Sequence, residues 1–168
     1  MNTKSNVSSN KPTLREMRGI IVDYIQLTKN VEDIINYCKE NGNLRIDGHP
    51  YWKAAFRELA FYLPNLTKAE LIGFTTVAHI GENGYSIYPS YKNAKHLYDT
   101  WREWFWAEYV GRDEALMGIA DEKEYKNGHF EEKLVAYLTL GGYIVNCART
   151  LGILKEIPVM QKPEITGC

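Results

Sequence analysis

The stretch "LTKAELIGFTTVAHI", residues 66–80, decides the fold class because it carries several independent marks of one helix start. Thr67 is placed to cap the free amides, Glu70 completes a capping box, and Leu66 and Leu71 form a hydrophobic staple across them. Apolar residues continue to about Ile80, and "GENG" ends the run. Toward the N-terminus the grammar repeats. "TLRE" at 13–16 is a second capping box, after which Leu14, Met17, Ile21, Tyr24 and Ile25 line one helical face. "KNVED" at 29–33 reads as a restart or bend with Asn30 as cap. Val31, Ile34, Ile35 and Cys38 then carry the apolar side to about Glu40, before Gly42.

Between these two starts, Pro50 suits the first turn of a helix in which Trp52, Phe56, Leu59 and Leu63 recur at helical spacing until Pro64. Beyond residue 80, Ser90 is the expected cap of a tryptophan-rich helix that Gly111 terminates. Residues 112–128 read as two short helical turns capped by Asp113 and Asp121. A last helix spans about Phe130 to Leu151, with Gly152 after it. Its middle carries no charge, so it is expected to be the central, most buried helix. Gly141 and Gly142 each cost roughly 1 kcal/mol against alanine in a helix interior, which close approach of a neighbouring backbone would offset.

The chain therefore reads as all-α: one irregular bundle of five or six main helices, with short extended pieces at most near 44–46 and 85–88. Residues 1–12, rich in Ser, Asn and Lys, are expected to be a disordered tail. The helical domain covers 13–157, and 158–168, with Pro158 and Pro163 at its start and middle, is expected to be an extended tail.

At 168 residues the chain is long enough to bury a real core in one domain. Its net charge of −1 gives no global attraction to nucleic acid or to an anionic membrane, so any such contact needs a local patch. The uncharged run 134–148 is too short to span a bilayer, and the polar start lacks the apolar stretch of a secretory signal. Cys38, Cys147 and Cys168 are odd in number and widely spaced, which is not a disulfide framework. A cytoplasmic location is the expectation.

No catalytic, metal or phosphate-binding motif is legible, and the expectation is no enzyme, no cofactor and no metal. His49, His79, His96 and His129 form no zinc spacing. His79 reads as a partly buried structural imidazole rather than a base. A metal-dependent nucleotide hydrolase could draw on the acidic cluster at 121–132, where Asp121 and Glu124 lie one turn apart and Glu131 and Glu132 follow. The second acidic set such a site requires is missing: 134–151 contains no carboxylate. A helix-turn-helix reading of 14–63 lacks a basic reading helix, since 50–63 offers only Lys53 and Arg57, with Glu58 beside them.

What remains is "HLYDTWREWFWAEY", residues 96–109, with three tryptophans in six positions. At about 100° per residue, Ala94, Leu97, Trp101, Trp104 and Phe105 form one stripe, which reads as core. Trp106 lies off that stripe among Lys92, Lys95, Asp99 and Arg102, with Tyr98 and Tyr109 flanking. It is expected to be covered by the chain's own 85–89 loop or C-terminal tail, or else by a partner. The second case gives the candidate site: Trp106, Arg102, Lys95, Lys92, Tyr98 and Tyr109 as an aromatic and basic face. A protein partner fits it best, because Trp, Tyr and Arg dominate interface energetics. A single-stranded nucleic acid stacking on the same face is the alternative, with few cations to neutralise phosphates. The expected function is thus a non-catalytic helical binding or regulatory module, without membrane contact and compatible with a homo-oligomer.

Overall fold

Thr13 starts the first helix as its sequence requires: its Oγ1 accepts a hydrogen bond from the Glu16 amide at 3.1 Å. From there the computed structural model, which describes residues 10–42, 49–83, 91–111 and 130–152, runs through five helices. They are α1 (Leu14–Glu40), α2 (Trp52–Tyr62), α3 (Lys68–Asn83), α4 (Ala94–Tyr109) and α5 (Phe130–Thr150). A 3₁₀ turn at Leu63–Asn65 joins α2 to α3, and the described residues contain no strand. The chain is an all-α irregular bundle. The extended pieces expected near 44–46 and 85–88, the turns at 112–128 and the C-terminal tail lie outside the described residues.

The capping box at α3 closes in both directions. Glu70 N donates to Thr67 Oγ1 at 3.2 Å, and Thr67 N donates to Glu70 Oε1 at 2.9 Å. Leu66 and Leu71, the staple pair, are both partly buried against the core. Gly42 and Gly152 take positive φ just past α1 and α5, the backbone state that glycine adopts at least cost.

Two expectations are corrected. α1 does not break at "KNVED": it is one helix of 27 residues, and Asn30 sits inside it, its Oδ1 accepting from Gln26 Nε2 at 2.7 Å. Thr28 and Val31 are both buried on the same side, so tertiary packing carries the helix through the polar stretch. The two separate helices that a helix-turn-helix needs before residue 40 are therefore one. The cap of α4 is Asn93 rather than Ser90, its Oδ1 accepting from the His96 amide at 2.8 Å.

The central helix is α3, not α5. Every residue from Ile72 to Ala78 is buried, and the Thr75 and Thr76 hydroxyls satisfy themselves on the Leu71 and Ile72 carbonyls at 2.8 and 2.9 Å. α5 lacks charge in its middle yet leaves Thr139, Gly142 and Asn146 exposed, neutral positions that water solvates without penalty. α5 packs closely against α3 and α1. At Gly81 a Cβ would overlap the Tyr143 backbone, and at Gly141 it would meet the Thr28 side chain, whereas Gly142 faces open space. Close approach thus explains Gly141, against a side chain rather than a backbone, and does not explain Gly142. Across the same contact the Tyr24 hydroxyl donates to the Tyr137 carbonyl at 3.2 Å, and burial pushes its pKa well up.

Candidate functional site

α4 has two unlike sides, and the segment just before α1 decides which is covered. Lys11 and Pro12, placed by sequence in the N-terminal tail, lie across α4. The Pro12 carbonyl accepts from the buried Tyr98 hydroxyl at 2.8 Å and from Arg102 at 3.3 Å. Lys11 Nζ pairs with Glu103 at 2.7 Å and stands 5.9 Å from the centre of the Trp106 ring. Pro12 also meets α3, where it and Met17 crowd the space a side chain at Gly73 would need. The result is a strap joining α1, α3 and α4.

Beneath it, Trp106 is only 7% exposed and packs with Ile72 and Phe105, flanked by Ala69, Tyr109 and Val110. The candidate anchor is thus inside the fold. Its cover is the N-terminal segment, a third possibility beside the loop at 85–89 and the C-terminal tail, which lie outside the described residues. Tyr98 is fully buried, and burial raises its hydroxyl pKa although Arg102 beside it pulls the other way. Arg102 is largely enclosed and spends its guanidinium on Asp99 at 3.3 Å and Glu103 at 2.9 Å as well as on Pro12. Those hydrogen bonds from Lys11 and Arg102 hold the Glu103 carboxyl below its ordinary range. Tyr109 is half-buried, its ring 6.1 Å from Phe105. Of the six candidate residues only Lys92 and Lys95 are exposed. The structure does not bring the six together as one open face.

The opposite tryptophan behaves in reverse. Trp104, expected in the core, is 55% exposed, and Trp101 is intermediate. The buried arc of α4, centred near Tyr98 and Phe105, is rotated by roughly 60° from the stripe that periodicity selects. Trp104 lies just beyond its edge. It stands edge-on to Phe105 at 4.9 Å and to Trp101 at 6.3 Å, so one side of the indole is held while the other is open. Thr100, Ala107, Glu108 and Gly111 surround it on the exposed face, and none of them is bulky enough to screen a tryptophan.

Trp101 in turn lies 4.3 Å from the ring of His79, which also meets Phe105 at 5.2 Å. His79 is partly buried, as expected, and burial lowers its pKa. The Asn83 side-chain amide lies 3.3 Å from its Nδ1, and none of these contacts is a nucleophile to activate. The acidic cluster at 121–132 lies outside the described residues, save for the backbone of Glu131 and Glu132 in α5. Among the described residues no group of three His, Cys, Asp or Glu side chains could hold a metal ion. No described helix is long and apolar enough to cross a membrane. Cys38 and Cys147 are buried thiols outside any disulfide.

No protein-family model, no curated protein and no solved structure matches the chain. The sequence signal for the strap was present in "KPTLREM": Pro12 precedes the Thr13 cap and Met17 is the fourth helical residue, the positions of a hydrophobic staple.

Proposed function

We propose that the protein is a non-catalytic helical binding module that engages a protein partner through the face of α4 centred on Trp104. One observation carries this reading: a tryptophan 55% exposed, gripped on one side by Phe105 and Trp101 and bordered by Thr100, Ala107 and Gly111. Tryptophan is the side chain most enriched among the residues that dominate interface energies, and one already held by its neighbours loses little freedom on binding. Trp104 takes over the role that sequence assigned to Trp106.

Distance from the cations narrows the partner. The exposed Lys92 and Lys95 sit toward the N-terminal end of the helix, about 14 Å from the indole for Lys95, and Lys11 and Arg102 are already paired with Glu103. The complement is an apolar pocket that takes the indole. Few cations are left beside it to neutralise phosphates, which disfavours stacking of a single-stranded nucleic acid here.

The test places a photo-crosslinking amino acid at Ala107, beside the indole, and compares adducts formed in the native host with and without Trp104→Ala. A discrete adduct that disappears with Trp104→Ala supports the reading. The crosslinked protein, purified, should then bind the wild-type chain at least about tenfold tighter than the variant. Equal binding by the two would refute it.

A further inference from the structure

A cleft lies between α1, α2 and the first turn of α3. It is an open cleft of about 850 Å³, within the size range of small-molecule sites. The 3₁₀ turn at Leu63–Asn65 joins α2 to α3 beside it, with Asn65 in its wall. Its floor is apolar, with Leu27, Leu66 and the rings of Phe61 and Tyr62. Its rim carries Asp23, Glu58 and Glu70 against one cation, Arg57, so three carboxylates and one guanidinium leave a local charge of −2.

Among the described residues no lysine or arginine is paired with any of these three carboxylates. Glu70 uses one oxygen on the Thr67 amide, and Asp23 accepts from the Tyr62 hydroxyl at 3.4 Å. The Tyr62 pKa is raised, first by burial and then by Asp23 and Glu70. Arg57 rests over Phe61 at 5.6 Å, so that ring face already accepts a guanidinium from its own chain.

This combination selects among ligands. A divalent metal needs several oxygens converging on one point, and no described group of His, Cys, Asp or Glu does so. An anion would meet three carboxylates. A neutral apolar molecule would leave the rim unused. We infer that the cleft binds a small organic cation, an ammonium or guanidinium carried on an apolar body. The body lies on Leu27, Leu66 and Phe61, and the charge sits between Asp23 and Glu58. This site is independent of Trp104.

The full chain is titrated with 4-phenylbutylammonium, 4-phenylbutanol and 4-phenylbutyrate and followed by amide NMR. The ammonium should shift residues 23–27 and 57–66 saturably, with a dissociation constant on the order of millimolar. The alcohol should bind about tenfold more weakly, and the carboxylate more weakly still. Asp23→Asn and Glu58→Gln, both at exposed positions, should each weaken the ammonium several-fold. Arg57→Gln, which removes the competing cation, should tighten it. Trp104→Ala should change none of this. Equal binding of the alcohol, preference for the carboxylate, or shifts outside the cleft would each overturn the inference. So would tighter binding of a blocked Leu-Lys-Leu peptide than of the amine, which would assign the cation to a protein side chain.

Discussion

Trp104 and Trp106 stand two residues apart on one helix and have opposite environments. Trp106 is sealed by three elements: α3 through Ile72, its own neighbour Phe105, and the strap of Lys11 and Pro12. Among the described residues, Trp104 is held by aromatic edges of its own helix. A tryptophan's role is therefore set less by its angle on the helix than by what the rest of the chain lays over it. Leu97 shows the same point. It projects within about 20° of Trp104 yet is fully buried, because it lies two turns nearer the Asn93 cap, where the neighbouring helices close in.

The sharpest way to break this comparison is to truncate each indole. Trp106→Ala should cost about 3–5 kcal/mol, since it empties a space bounded by three elements that cannot all collapse into it. Trp104→Ala should stay within roughly 0.5–1 kcal/mol of wild type, losing only edge contacts. Urea unfolding of both variants, read by fluorescence and circular dichroism, measures the difference. Equal losses would mean that Trp104 also contributes to the core. A small loss for Trp106→Ala would mean that the strap does not seal it.

Local signals in the sequence located most helix ends and did not locate the buried face of α4. Both capping residues, Thr13 and Thr67, and both glycine stops, Gly42 and Gly152, act within a few residues of themselves, and each was legible. Periodicity along α4 could only rank faces by composition. It placed Trp106 with Lys92 and Lys95 because no local rule reports that Pro12, 86 residues before Tyr98, will settle there. The continuity of α1 was lost for the opposite reason. "KNVED" carries real cap chemistry, and burial of Thr28 and Val31 on the same helix overrides it. The cleft beside Asp23 was illegible, since its walls come from three elements whose spacing depends on the turn at Pro64.

A finer cut tests the strap without emptying a cavity. Tyr98→Phe keeps the ring and removes the hydroxyl that donates to the Pro12 carbonyl, leaving Arg102 at 3.3 Å as that oxygen's remaining donor. The expected loss is about 1 kcal/mol, the worth of one buried hydrogen bond whose acceptor keeps a weaker partner. The Lys11–Glu103 pair is exposed, and Lys11→Ala should cost no more than about 0.5 kcal/mol and vanish into noise at high salt. Because hydrogen exchange reports local opening, the amides around Met17 and Arg102 should exchange faster in Tyr98→Phe than the global loss explains. Exchange that tracks the global loss alone would mean the strap does not open as a unit.

The smallest effect concerns His79, which lies between the two tryptophans' surroundings, against Trp101 and Phe105. Burial lowers its pKa from 6.5, and only Glu82 nearby works against that shift. Below the unfolded value the unfolded chain therefore binds the proton more readily than the folded one. The stability that neutral His79 contributes is complete above about pH 6.5, falls as pH drops through that value, and levels off below the folded pKa. His79→Gln should flatten the melting temperature between pH 7.5 and 5.5, while groups that titrate lower, such as Glu103, affect both proteins alike. The difference between the two melting curves is the measurement. If it grows toward high pH instead, the imidazole is charged in the folded state, and its aromatic neighbours stabilise a cation rather than exclude one.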